Sequence, residues 1–197
     1  MWSGGINRSP HQAYFMRKIG KIIYPLVLAL LALSPLCSLA EEVEMTVGSP
    51  APDFSLPDQQ GRTRSLSAFH GQWVVLYFYP KDDTPGCTKE ACHFRDDYLA
   101  AKKLGVEILG VSVDSPESHT KFSNKYSLPF PLLADTDGKV ARQYGALWSL
   151  GPIRFARRQT FLIDPQGRIA RIYRKVDPDS HSREVIDALK GLQQAGK

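Results

Sequence analysis

The run from Trp73 to Cys92 constrains this chain more than any other stretch. Trp73 to Tyr79 is dense in aromatic and β-branched residues and reads as a buried strand. Lys89 to Leu104 reads as a helix. Between them lies Pro80-Lys-Asp-Asp-Thr-Pro-Gly-Cys-Thr-Lys-Glu-Ala-Cys, ending at Cys92, with Thr84, Cys87 and Glu90 inside it. Cys87 therefore stands where a strand has ended and a helix is starting. Backbone N–H groups at a helix start have no intrahelical acceptor, and the helix dipole there favours negative charge. A thiol in such a place ionises more easily, and the thiolate is the reactive form. Pro85 is preformed for a first helical turn, and Gly86 lets the backbone come close to whatever the sulfur attacks. Thr84 carries a hydroxyl able to donate to a thiolate or to a bound oxygen.

A lone cysteine is most often a small buried hydrophobe. A Thr-Pro-Gly turn after an apolar strand is a poor place for core filling, so the reactive reading takes precedence. Five residues on a helix turn two side chains about 140° apart and set their Cα atoms roughly 8 to 9 Å from each other. A disulfide needs Cα atoms within about 7 Å. Cys87 and Cys92 therefore cannot bond while both stay helical.

These residues resemble the peroxiredoxins, and specifically the branch called bacterioferritin comigratory protein or PrxQ. The family pattern Pro-x-x-x-Thr-x-x-Cys is matched by Pro80, Thr84 and Cys87. The branch adds Thr-Pro-Gly-Cys-Thr-x-Glu and a second cysteine five residues on, matched by Thr88, Glu90 and Cys92. In weaker form the resemblance covers roughly Val47 to Leu192. It implies a thiol peroxidase that reduces hydrogen peroxide and organic hydroperoxides to water and alcohols, in antioxidant defence. Cys87 is then the peroxidatic thiol, and Cys92 the resolving thiol that condenses with the sulfenic acid. If so, the first stretch of the helix unwinds in each cycle. The resemblance also implies a thioredoxin-like or other thiol reductant as partner, of the thioredoxin-dependent type, and a monomer or weak dimer.

Charge developing on the peroxide oxygens calls for a fixed cation, and arginine suits because it stays charged and presents several donors. Arg157 and Arg158 precede the strand at Thr160. The resemblance favours Arg158, which stands two residues before Thr160-Phe161. Glu90 is expected in the first helical turn, mainly complementing the dipole and capping backbone N–H groups. It is also a candidate for ordering hydrogen bonds around the site. Pro80 is expected to shield the sulfur and shape the strand end.

The rest of the chain reads as follows. Met1 to residue 15 has no apolar pattern and is taken as disordered, or as a mis-called start ahead of Met16. Residues 16–40 have a positive start, an apolar run from Ile22 to Leu36 and small residues at Ser38-Leu-Ala40. This is the layout of a signal peptide cleaved near Ala40. The alternative is an uncleaved inner-membrane anchor, but the run is short for a span and holds Pro25 and Pro35. Export, to a bacterial periplasm, is the expectation. The net charge of +5 is concentrated here, since Arg8, Arg17, Lys18 and Lys21 face no acid and the remainder holds 21 basic against 20 acidic residues. The basic balance thus gives no reason to expect nucleic acid as a partner. Membrane contact is expected only through the amino-terminal segment if it stays uncleaved.

Residues 41–197 are expected to form one domain. Phe54 to Leu66 reads as a hairpin turning at Asp58 to Gly61, and Ser67 to His70 as one helical turn. Val106 to Val113 reads as a second central strand. Pro116 to Tyr126 reads as a helix capped by Ser115, Leu132 to Ala134 as a short strand and Val140 to Tyr144 as a short helix. Ala146 to Ala156 shows no regular pattern. Thr160 to Asp164 and Ile169 to Tyr173 read as a hairpin, and Ser182 to Gln193 as a closing helix. Alternation of this sort gives an α/β fold, a mixed sheet flanked by helices. With the resemblance, the expectation is a thioredoxin-like fold with the peroxiredoxin amino-terminal hairpin. No phosphate-cradling glycine loop and no metal-ligand spacing stands out, so neither cofactor nor metal is expected. The five histidines are scattered, and His93 has no partner at ligand spacing. Leu147 to Arg157 lacks the Lys-rich loop of many members of the branch, which leaves peroxide preference and oligomeric contacts open. Two other functions compete: a thioredoxin-like disulfide reductase, which Cys-x-x-Cys would mark, and a non-catalytic thioredoxin-fold module.

Overall fold

A computed structural model describes residues 45–195. The expectations for residues 1–15 and 16–40, Cys37 included, lie outside the described residues. The strands are β1 (Ser55–Pro57), β2 (Thr63–Ser65), β3 (Trp73–Phe78), β4 (Val106–Ser112), β5 (Leu132–Ala134), β6 (Leu147–Leu150), β7 (Ile153–Ala156), β8 (Gln159–Ile163) and β9 (Ile169–Tyr173). The helices are α1 (Pro85–Asp96), α2 (Tyr98–Lys103), α3 (Pro116–Tyr126), α4 (Lys139–Gln143) and α5 (His181–Ala195), with a 3-10 turn at Leu66–Phe69.

The central sheet runs in the order β5-β4-β3-β8-β9. β3 is parallel to β4 and β4 to β5, while β3–β8 and β8–β9 are antiparallel. Because both faces are covered, the middle strands read as continuous apolar runs. The two-residue period of a strand then divides β3 between two cores. Val74, Leu76 and Phe78 join one with Leu109, Val111, Phe161 and Tyr144. Val75, Tyr77 and Tyr79 join the other with Cys87, Ala91, Phe94 and Leu189 of the helical side. Gly110 on β4 makes this second core possible: a Cβ there would stand 2.7 Å from the Tyr77 ring and hydroxyl.

Two elements differ from the sequence reading. The helix expected over Lys89 to Leu104 starts earlier, at Pro85, and breaks at Asp97 into α1 and α2. Asp97 accepts a hydrogen bond from Ser182 at the start of α5 (2.7 Å). The stretch Ala146 to Ala156, read as irregular, is the β6–β7 hairpin around Gly151-Pro152. Gly151 has a φ of +57°, which a two-residue hairpin loop requires and glycine supplies without strain. Among the described residues, no helix is long and apolar enough to cross a membrane.

Candidate active site

β3 delivers the chain to the edge of the second core and stops there. The Tyr79 N–H still donates to Val111 (3.1 Å), but Pro80 has no N–H to continue the ladder. The loop that follows is pinned from α3. The Asp82 carboxylate accepts from the Tyr79 hydroxyl (2.7 Å) and the Ser118 hydroxyl (2.8 Å), and lies 2.8 Å from His119 Nδ1. Its own N–H donates to Asp114 (2.9 Å). Asp83 adopts a left-handed φ of +56° and is held there by Lys125 and by the Tyr126 hydroxyl (2.7 Å). Strain of this kind persists where the surroundings over-determine it.

α1 then begins at Pro85, with Cys87 as its third residue and only 2% exposed. The Thr88 N–H closes the first helical bond onto Thr84 O (2.8 Å), so the N–H groups of Gly86 and Cys87 are left at the open end. Arg158 enters from the segment between β7 and β8. Its Nη2 donates to Cys87 Sγ at 3.1 Å, and its Nη1 donates to Glu90 Oε2. A Cβ on Gly86 would stand 3.3 Å from that Nη2, a tight contact, so the glycine leaves the guanidinium room beside the sulfur. One planar fork thus joins a thiol and a carboxylate.

Glu90 is 1% exposed, and its other oxygen, Oε1, is buried with no hydrogen-bond partner. Burial pushes its acid dissociation up to about 7, against the pull of Arg158. Arg158 is itself held above its ordinary value: burial opposes its charge, and Glu90 and Cys87 outweigh that. Tyr77, packed beneath the site, stays a phenol, because burial and the nearby carboxylates raise it well above the usual range.

The structure therefore brings Cys87, Glu90 and Arg158 together, with Thr84 at the helix cap and Pro80 at the strand end. Two expectations are corrected. Glu90 does not cap the helix; because α1 begins at Pro85, it sits beyond the first turn and turns inward to Arg158. The Thr84 hydroxyl does not donate to the sulfur; it donates to the Lys81 carbonyl (3.0 Å) and tightens the loop. Arg157 is exposed and makes no hydrogen bond or ion pair with Cys87 or Glu90. Cys92 is half-buried on the same helix as Cys87, and both are free thiols. His93 Nδ1 pairs with the Pro178 carbonyl (3.0 Å) and Lys89 with Asp179 (2.7 Å), so the segment before α5 straps α1.

The Asp82–His119–Tyr79 cluster was missed by sequence reasoning. A signal was present: His119 stands three residues before Phe122 and seven before Tyr126, on the apolar side of α3. Among the described residues, no group of His, Cys, Asp and Glu could hold a metal ion. A cleft of about 450 Å³ beside Gln59, Arg64 and Tyr98, and one of about 200 Å³ beside His70 and Gly167, hold no cysteine.

Comparison with known proteins identifies the family and the fold. The sequence matches the AhpC/TSA family over residues 47–172. It is 45% identical over 152 residues to the chloroplastic peroxiredoxin Q of Sedum lineare, covering 76% of this chain and 81% of that one. It is 44% identical over 154 residues to peroxiredoxin Bcp of Bacillus subtilis, covering 75% of this chain and 97% of that one. The fold matches the crystal structure of peroxidoxin BcpB from Mycobacterium tuberculosis with a TM-score of 0.72 at 36% identity, over 75% of this chain and 98% of that one. The thioredoxin-like fold expected from the motif is therefore the fold found. The motif around Cys87, the sheet that carries it and the full-length relatives agree: the chain belongs to the AhpC/TSA family, in the peroxiredoxin branch named for bacterioferritin comigratory protein and PrxQ.

Proposed function

We propose that the protein is a thiol-dependent peroxidase in which Cys87 attacks hydrogen peroxide and organic hydroperoxides. The observation that carries this reading is the Arg158 fork, which holds Cys87 Sγ with one nitrogen and Glu90 with the other. A guanidinium at 3.1 Å sets a fixed positive charge and a hydrogen-bond donor beside the sulfur. The same donors, with the open N–H groups of Gly86 and Cys87, suit a peroxide whose oxygens gain charge as the O–O bond breaks.

In the first step the sulfur's electron pair forms an S–O bond. The O–O bond breaks, and the departing oxygen takes a proton and leaves as water or an alcohol. Cys87 is left as a sulfenic acid. In the second step the Cys92 thiol gives up its proton and its sulfur attacks the Cys87 sulfur; an S–S bond forms, the S–O bond breaks, and the departing hydroxyl takes that proton and leaves as water. Because both residues lie on α1, that step requires the helix to open between them. An external dithiol of the thioredoxin type then returns two electrons. With residues 16–40 read as an export signal, that donor works outside the cytosol.

Peroxide consumption with dithiothreitol tests the reading. Wild type should consume peroxide at a rate proportional to enzyme, and Cys87→Ser should fall to background. Equal rates in the two proteins would overturn it. The spacing of Cys87 and Cys92 gives no support to a Cys-x-x-Cys disulfide reductase.

A further inference from the structure

The β6–β7 hairpin leads into Arg158, yet most of its own surface has no place in this chemistry. Its register pairs Trp148 with Phe155 and Leu150 with Ile153, and strand alternation puts these four on one face. On the opposite face only the base is packed: Ala156 belongs to the first core and Leu147 packs against it, while Ser149 and Arg154 are exposed. Trp148 and Phe155 stack with ring centroids 4.6 Å apart. Leu150 and Ile153, at the tip, are 67% and 61% exposed, which is high for side chains of this size. The flanking sequence is mostly cationic, with Asp137 the exposed acid beside it. From Gly138 to Ile163 there is no Asp or Glu, but there are Lys139, Arg142, Arg154, Arg157 and Arg158. Lys139 pairs with Asp137 and Arg158 with Glu90, while Arg154 reaches only the Asp137 backbone carbonyl. Arg142 and Arg157 are exposed with no carboxylate partner among the described residues.

We propose that this hairpin docks the protein on an anionic lipid surface. At roughly 3.3 Å per strand residue, the aromatic pair stands about 7 Å behind the tip and Arg157 about 13 Å behind Ile153. Aliphatic tip, aromatic belt and cationic collar follow one another as the layers of a bilayer interface do. There, apolar groups sink some 5–10 Å, aromatic rings sit at headgroup level and cations meet lipid charge. A second copy is a poor occupant, because a two-fold contact sets the patch against itself and places arginine on arginine. Docking does not depend on the peroxidase reading. Its consequence does: β7 leads into Arg158, so a seated hairpin holds the reactive sulfur's side of the molecule near the bilayer surface.

Brominated-lipid quenching of Trp148 tests this in the full-length chain. Trp2→Phe with Trp73→Phe leaves Trp148 as the sole tryptophan. Vesicles of brominated phosphatidylcholine with about a third phosphatidylglycerol should quench it at low salt. Vesicles without the anionic lipid, or high salt, should quench it far less. Adding Leu150→Ser and Ile153→Ser should raise the lipid needed by roughly a hundredfold. Consumption of hydrogen peroxide should stay unchanged, which certifies the fold. An unquenched Trp148 would overturn the proposal. So would quenching that survives the two serines, which would assign the binding to residues 1–44. A Trp148 shift driven by protein concentration alone would overturn it in favour of a second copy. A shift with an acidic thioredoxin but not with vesicles would overturn it in favour of a protein partner.

Discussion

Arg158 is the residue whose replacement discriminates best between roles. Its two terminal nitrogens serve two different groups, and lysine offers one nitrogen on a flexible stem. Arg158→Lys keeps a charge beside Glu90 and so spares the fold the cost of an unpaired buried carboxylate. It should nevertheless slow the reaction with hydrogen peroxide by roughly ten- to a hundredfold, the scale of losing one preorganised donor. Stopped-flow mixing measures that constant, and an unchanged value would remove the arginine from the chemistry. Glu90 gives a second test through pH. In the folded protein it titrates near 7, whereas an unfolded glutamate titrates at about 4.3. Between those values the folded state keeps a proton that the unfolded chain has lost. The stability Glu90 contributes is therefore full below about pH 4 and drains away as pH rises through 7. Glu90→Gln cannot titrate. In urea titrations, wild type should lose stability relative to Glu90→Gln between pH 5 and 7.5, and parallel profiles would contradict the raised value.

At the scale of elements, α1 must be stable enough to present Cys87 and weak enough to open. His93 ties it to the Pro178 carbonyl, Lys89 to Asp179 and Asp97 to Ser182. The Lys89–Asp179 pair is solvent-exposed and contributes little. The half-buried His93 bond is worth about 1 kcal/mol, or roughly fivefold in an opening equilibrium. His93→Ala should therefore speed formation of the Cys87–Cys92 disulfide by up to about fivefold after a peroxide pulse. Timed alkylation and mass spectrometry would read the rate, and a slower rate would mean that α1 does not open there. The elements themselves were largely legible. β3, β4 and β8 are apolar runs buried on two faces, and Ser115-Pro116 announces α3 by its cap, which accepts from the Ser118 N–H (3.3 Å). The β6–β7 hairpin was not legible, because four-residue strands carry too few alternations to stand out. The inward turn of Glu90 was hidden for a different reason. It depends on a helix beginning at Pro85 and on an arginine 68 residues away in sequence.

Across the whole molecule, two cores share one sheet, and the reactive thiol lies where the helical core meets the end of β3. Motif spacing placed Cys87 and Thr84 on a turn, but only the folded sheet brings Arg158, at the entrance to β8, alongside α1. The loop between is not free to adjust, since Asp82 and Asp83 fasten it to α3 by Ser118, His119, Lys125 and Tyr126. Export and a thiol donor outside the cytosol remain proposals tied to residues 16–40. The central claim is that one sulfur at the start of α1 takes the peroxide oxygen. It is tested most directly by adding one equivalent of hydrogen peroxide to the reduced protein, quenching within milliseconds and later, and mapping oxidised sulfur by mass spectrometry. The account predicts oxygen first on Cys87 alone, followed by a Cys87–Cys92 disulfide. Oxygen appearing first on Cys92, or peroxide left unconsumed, would contradict it.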